Sequence, residues 1–240
     1  MKTIAMDTAA AQGSIALLDG ERLLARESFQ GAAGHAVLLP QVCEDLLHTV
    51  GWQAAEVELL AVCSGPGAFA GLRIAFGFAQ GFSLAHAIPI IGLNTLDLLA
   101  AQCADEADWL AVVVDARRQE LFAALYQRQG GQLHRRHAPG SALSPQVWCE
   151  QLARWPWPAN NRLTWTGNGL QSYPTMIQQP WPLPCQQSDP SLWSIDPASL
   201  GRLAQQRWHA TPSPKPLLTT LLDYQRRPDA DPPAPLLPNR

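Results

Sequence analysis

The stretch Glu58-Leu59-Leu60-Ala61-Val62-Cys63-Ser64-Gly65-Pro66-Gly67-Ala68-Phe69-Ala70-Gly71-Leu72-Arg73-Ile74 joins a short apolar run to a glycine-rich turn and then to a helical pattern. Glu58 to Cys63 is short, apolar and bounded by turn residues, which reads as a buried parallel strand. The helix runs from about Ala70 to His86, and Pro89 to Leu93 is a second buried strand. Gly65 and Gly67 let the backbone turn tightly, and the N–H groups of a helix start make an anion site feasible. The turn is not a Walker loop, because the fifth residue after Gly65 is Ala70 and no Lys-Ser or Lys-Thr follows. Gly65, Gly67 and Ala70 fit a loose G-x-G-x-x-G/A pattern, but Pro66 is a poor guest between the glycines. A tight strand-to-helix connection explains the segment better than dinucleotide binding.

Working outward, Lys2 to Met6 reads as a strand ending at Asp7-Thr8, and Gly13 to Leu18 as a second strand. Asp19-Gly20 signals a hairpin, with Arg22 to Phe29 returning. A helix is expected over about His35 to Thr49, where Leu38, Leu39, Val42, Cys43, Leu46 and Leu47 form a stripe. Pro40 must sit in its first turn or kink it. Asn94 or Thr95 caps a third helix reaching about Cys103. The pattern then restarts. Leu110 to Val114 ends at Asp115-Ala116-Arg117, Glu120 to Gln127 alternates, Gly130-Gly131 turns, and Gln132 to His137 returns. Two meanders, each led by a strand ending in Asp, imply a duplicated lobe. Beyond them, Trp155-Pro156-Trp157-Pro158 and the segment up to Pro184 read as loops flanking a strand, Arg162 to Thr166. Gly167-Asn168-Gly169 leads into a helix, and a last helix spans Pro197 to His209 with Asp196 as its cap. The expected division is residues 1–107, residues 108–227, and a frayed proline-rich tail, 228–240.

The 240 residues are 47% hydrophobic and 15% charged, a globular balance, and the formal net charge is −3. That sign is wrong for a protein gripping RNA with its whole surface. No run approaches a membrane span, and the N-terminus reaches Asp7 too soon for a secretory signal. Five scattered cysteines without a CxxC pair suit free thiols in a reducing cytoplasm.

The segment Gly65 to Ile74, followed by Gly81-Phe82 and Ile88-Pro89-Ile90-Ile91-Gly92-Leu93-Asn94-Thr95-Leu96-Asp97, resembles the TsaB (YeaZ) family. Asp7-Thr8, the stretch from His35 to Pro40, and Asp115 to Phe122 are similar too, so the resemblance covers roughly residues 1–128. Ala68 and Ala70 stand where the family usually has hydroxyl residues. The resemblance implies an α/β fold of the actin-like, Hsp70 ATPase-like (ASKHA) class with two ribonuclease-H-like lobes, and the duplicated meander agrees independently. It also implies a cytoplasmic, non-catalytic subunit that binds and activates TsaD in threonylcarbamoyl transfer to the tRNA adenosine next to the anticodon. TsaE would be the third member, ATP would be used by the complex with no cofactor held tightly here, and tRNA would be met only indirectly. The same face would serve a homodimer. It would comprise His35 and Leu39 with Leu72, Arg73, Phe76, Gly77, Gln80 and Ser83, while Gly65, Pro66, Gly67 and Gly71 shape the loop. The relative TsaD holds a metal through two histidines four residues apart, and that pattern falls here on Thr95 and Leu99. A leucine cannot ligate, and a threonine cannot replace a neutral imidazole.

Other constellations are weaker. Asp7 and Asp115 are vestigial candidates for the acidic pair that holds Mg-nucleotide in active members of the fold class, and a phosphotransferase using them is the alternative function. Each also suits a plain turn-capping role. A metallopeptidase is a further alternative. His134 and His137 lie three apart on a strand, and Ser64 lacks the glycine of a nucleophile elbow. The tryptophans lie beside prolines without basic neighbours, which favours packing over base stacking.

Overall fold

The computed structural model describes residues 1–30, 34–103 and 108–210, together with positions 222, 223 and 225. Strand β1 (Lys2–Asp7) runs antiparallel to β2 (Gly13–Asp19), and β2 to β3 (Arg22–Phe29). The β2–β3 ladder closes with Asp19 opposite Arg22, so the loop residues are Gly20 and Glu21 rather than Asp19 and Gly20. Gly20 supplies the left-handed conformation, φ 57°. Helix α1 (His35–Val50) begins before the apolar stripe and continues through Pro40, beyond its first turn. Strand β4 (Leu59–Gly65), helix α2 (Phe69–His86), strand β5 (Ile90–Asn94) and helix α3 (Thr95–Gln102) follow. The first sheet has the order β3-β2-β1-β4-β5, with β4 parallel to β1 and β5.

Both faces of this sheet are covered. Ile4, Met6, Ile15, Leu17, Leu60 and Val62 share a core with α1 and α2, whereas Ala5, Ala16, Leu18, Leu59, Ala61 and Cys63 pack on the other side. A strand buried on both faces loses the polar half of its alternation, which is why β4 reads as an unbroken apolar run.

The second lobe repeats the plan with β6 (Trp109–Arg117), β7 (Glu120–Gln129), β8 (Gln132–His137), β9 (Leu163–Thr166) and β10 (Cys185–Gln187), and with helices α4 (Pro145–Ala153) and α5 (Gly169–Ser172). Its order, β8-β7-β6-β9-β10 read from the β8 edge, matches β3-β2-β1-β4-β5 element for element, with β6 and β9 parallel as β1 and β4 are. The molecule is therefore an α/β protein of the actin-like class, two ribonuclease-H-like lobes built on one topology. Neither α4 nor β10 has a counterpart in the sequence reading. Trp148 and Trp165 are fully buried, and Trp155 and Trp157 meet Trp109 edge to face, so the tryptophans build this lobe's core.

Helix α6 (Pro197–Ala210) is capped by Asp196, whose carboxylate accepts from Ala198 N (3.3 Å) and Ser199 N (3.1 Å). It lies within the stretch assigned from sequence to the second lobe, yet it packs on the first sheet. Ala198, Leu200 and Ala204 share a core with Ala5 and Leu18, and a Cβ on Gly201 would stand 2.5 Å from Leu18 Cδ1. Small residues on this face let the helix lie close to β1 and β2, and Gln205 Nε2 ties it to Thr3 Oγ1 and to the Gly20 carbonyl, each at 2.9 Å. Helix α3 is shared between the lobes. Leu98 belongs to the core under α6, while Leu96, Leu99 and Ala100 pack against Val112, Val114 and Phe122 of the second sheet. Among the described residues no helix is long and apolar enough to cross a membrane. The tail 228–240 lies outside the described residues.

Candidate functional site

The ends of β1, β4, β6 and β9 converge on a cleft of about 990 Å³ between the lobes. Ligands in open α/β sheets lodge beyond the carboxyl ends of strands, so this is the place to look for chemistry. Asp7, Pro66, Gly67, Thr95, Leu99 and Asp115 all line it, so residues far apart in sequence meet in one cleft.

Their chemistry is largely internal. Asp7 is 3% exposed, and its Oδ1 accepts from Ala9 N at 2.9 Å. Burial raises its pKa, against the opposing pull of the Ala9 hydrogen bond and of His35. Cys63 lies beside it, its thiol pushed up by burial and by the Asp7 charge, with Sγ 3.6 Å from Thr95 Oγ1. Asp115 Oδ1 accepts from Arg117 N (2.8 Å) and Oδ2 from Ser172 Oγ (2.9 Å), and the Arg117 guanidinium stands 3.7 Å away. Each strand-end carboxylate thus caps the turn that follows it. The turn after Asp115 carries Arg117, Arg118 and Gln119 in succession at positive φ, a rare conformation for side-chain-bearing residues that nothing in the sequence reading signals. Thr95 and Leu99 stand one helical turn apart on α3 and both face the cleft. The hydroxyl of Thr95 is engaged with Cys63, and Leu99 offers only methyl groups, so the pair does not fit a transition metal. Among the described residues no group of three or more His, Cys, Asp or Glu side chains is placed to hold a metal ion.

The glycine turn is used by the chain itself. Gly65 has φ 108°. A Cβ on Gly67 would come within 2.8 Å of Ala9 Cβ, and one on Gly71 would overlap the Thr8 carbonyl. The glycines therefore let α2 lie against the turn after β1, which leaves no room for a dinucleotide between them. Thr8 Oγ1 completes the seam by donating to the Gly71 carbonyl (2.7 Å) and accepting from Ala75 N (3.1 Å). Ala68 keeps a backbone contact, its N–H donating to the Ala9 carbonyl at 3.2 Å.

The expected partner face divides in two. Leu39, Leu72 and Ser83 are buried, at 0%, 1% and 3% exposure, and present no surface: the sheet takes the stripe Gly71, Leu72, Ala75, Ala79 and Ser83, and Ser83 Oγ donates to the Ile88 carbonyl. His35, Phe76 and Gln80 are half-buried, and Arg73 and Gly77 are exposed. The Arg73 guanidinium lies 3.9 Å over the Phe69 ring. Gly77 and Gly81 stand one turn apart, and a Cβ on either would meet nothing within 4 Å among the described residues. Leu84 (79% exposed) and Phe69 (47%) flank them, with Val37 (63%) on α1. A groove of about 380 Å³ between α1 and α2 is lined by Pro40, Leu47, Trp52, Phe78 and Phe82. The sequence reading passes over Phe78 and gives Phe82 no place in a groove, although their four-residue spacing marks one side of a helix.

Comparison with known proteins bears on the fold and the family. A family model described as "TsaD: tRNA N6-adenosine threonylcarbamoyltransferase" matches residues 30–167. The Escherichia coli K12 "tRNA threonylcarbamoyladenosine biosynthesis protein TsaB" is 30% identical over 178 residues, covering 73% of this chain and 75% of that protein. The chain belongs to the TsaB family. The Bacillus subtilis 168 TsaB is 27% identical over 152 residues, or 63% of this chain and 66% of that one. The solved structure of YeaZ from Pseudomonas aeruginosa superposes with a TM-score of 0.71 at 28% identity, over 92% of this chain and 97% of that chain. A second Pseudomonas aeruginosa structure, described as an uncharacterized protein with similarity to peptidase YEAZ, gives 0.73 at 28% identity, over 94% and 99%. TsaB family membership and the match to the TsaD model together mark the chain as a relative of TsaD.

Proposed function

We propose that this chain works in tRNA threonylcarbamoyladenosine biosynthesis as the non-catalytic partner of TsaD, docking through the outer face of α1 and α2. The observation that carries the docking is the open pair Gly77 and Gly81 in the middle of an exposed helix face. Glycine costs a helix about 1 kcal/mol relative to alanine, and among the described residues nothing packs against either position. A partner helix crossing there has a use for them, because missing side chains let two backbones approach closely. Leu84, Val37 and the aromatic groove beside Trp52 supply the apolar rim. TsaE joins as the third member, a second copy of the chain competes for the same face, and tRNA and ATP are handled by the assembly.

Two features support a subunit without chemistry of its own. The metal positions of TsaD correspond to Thr95 and Leu99, which lack the donors. The strand-end carboxylates are engaged: burial holds Asp7 toward its neutral form, and Asp115 is hydrogen-bonded by Ser172 and ion-paired with Arg117. A phosphotransferase using Asp7 and Asp115 around Mg-nucleotide is the competing reading, since both residues line the cleft. Titration of the isolated chain with ATP and Mg²⁺ separates the two: micromolar binding with turnover favours the phosphotransferase. For docking, Gly77→Arg and Gly81→Arg are expected to abolish co-purification with TsaD while leaving the fold intact. Unchanged co-purification refutes this use of the face.

A further inference from the structure

Two residues near the C-terminus, Asp223 and Gln225, each bond to a different lobe. Asp223 N donates to the Ser64 carbonyl at 2.7 Å, at the end of β4 where the β4–β5 ladder shifts register. Gly65 lies directly beneath, and a Cβ there would overlap the Asp223 carbonyl, so a bare backbone forms the seat. The Asp223 carboxylate accepts from Asn94 Nδ2 (3.3 Å) and from Gln225 Nε2 (2.7 Å). Leu222 packs at the edge of the first lobe's core. Gln225 then offers its carbonyl to Ala142 N of the second lobe at 3.1 Å. Ala142 precedes Leu143, which bridges to Leu121 at the start of β7.

The Asn94 side chain gathers these contacts. Its Oδ1 caps α3 through Leu96 N (3.0 Å) and Asp97 N (3.3 Å) and also accepts from Arg135 of β8 at 3.0 Å. Arg135 pairs with Asp97, and Tyr126 OH donates to the same carboxylate at 2.7 Å. One side chain of the first lobe thus meets the second lobe directly through Arg135 and indirectly through the C-terminal segment.

We infer that the segment at Leu222, Asp223 and Gln225 is a latch that fastens the two lobes, seated on Ser64 and Gly65 in the first and on Ala142 in the second. Its seat immediately precedes Pro66 and Gly67, which line the cleft, and the start of α2. The latch therefore sets the cleft opening and, if the docking face proposed above is right, the base of the partner helix.

Hydrogen exchange on the full-length chain tests this without any partner. Asp223→Pro removes the N–H that reaches Ser64 and touches nothing in the second lobe. The Ala142 amide is expected to exchange about tenfold faster in that variant, because its acceptor is held in place from the first lobe. The adjacent Leu143 amide, bonded to the Leu121 carbonyl at 3.0 Å, serves as the control and is expected to keep its rate. Asp223→Ala keeps the N–H and is expected to show a smaller acceleration at Ala142. An unchanged Ala142 rate in Asp223→Pro overturns the latch, as does an equal acceleration of Leu143. Co-purification of TsaD with the same variant reports on docking separately.

Discussion

Replacing Thr8 by valine removes a single hydroxyl at the point where α2 is fastened to the first sheet. Thr8 is 1% exposed, and its Oγ stands between the Gly71 carbonyl and the Ala75 N–H, the pair that an uninterrupted α-helix would bond to each other. Each of the two hydrogen bonds contributes about 1 kcal/mol net, and a buried donor or acceptor left unmatched costs about 1–3 kcal/mol. The helix recovers part of this by drawing Ala75 N toward Gly71, so the net loss for Thr8→Val is about 2–3 kcal/mol. Thr8→Ser keeps both bonds and loses one buried methyl group, a cost of about 1 kcal/mol. In a domain of this size each kcal/mol lowers Tm by roughly 2–4 °C, so urea and thermal melts resolve the two variants. The expected order is wild type, then serine, then valine. If valine matches serine, or lies within about 0.5 kcal/mol of wild type, the hydroxyl is a bystander and the seam reasoning fails.

Other expectations follow from individual groups. Asp7→Asn keeps an acceptor for Ala9 N and removes a carboxyl whose pKa burial raises above its ordinary 3.8. As pH rises past that value the unfolded chain ionises first, which draws stability away from the fold, so the substitution is expected to help more at pH 7 than at pH 3. A larger loss at neutral pH, measured by denaturant melts, contradicts this. The Tyr126 phenol is pushed up by burial and by the Asp97 charge. Its ultraviolet titration should lag behind that of a free tyrosine, and stability should decline above about pH 10, where only the unfolded phenol ionises. Tyr126→Phe breaks the bond to Asp97 and is expected to cost about 1.5 kcal/mol and to flatten that alkaline decline. Gly77→Arg, at an open exposed helix position, should raise stability by up to about 1 kcal/mol by removing the glycine cost, which circular dichroism melts can check; a clear loss contradicts it.

Local chemistry made much of the fold legible. Asn94 and Asp196 cap the helices that their side chains announce, and the two strands ending in Asp7 and Asp115 lead matching sheets. What escaped was mostly set by distant partners. β10 is three residues among prolines and exists because Cys185–Gln187 find the free edge of β9. α4 did carry a signal, Ser144 as cap with Pro145 in the first turn, but its single turns of Trp148, Cys149 and Leu152 are too short for a convincing stripe. The pattern of α6 shows a helix without showing which lobe will take it. The same ambiguity misplaced Leu39, Leu72 and Ser83, because a helical stripe reveals a buried face only once the sheet's position is known. Asp7, Asp115, Thr95 and Leu99 stand out in the sequence and line one cleft, whereas the partners of Asp115, Ser172 and Arg117, emerge only from the folded turns.

Reconstitution of threonylcarbamoyl transfer to tRNA by TsaD, with the wild-type chain or with its Gly77→Arg, Gly81→Arg variant, tests the central claim most directly. The chain alone should modify no tRNA, the wild type should raise the rate of TsaD, and the folded variant should neither bind TsaD nor raise its rate. Modification by the chain without TsaD, or full stimulation by the variant, contradicts the account.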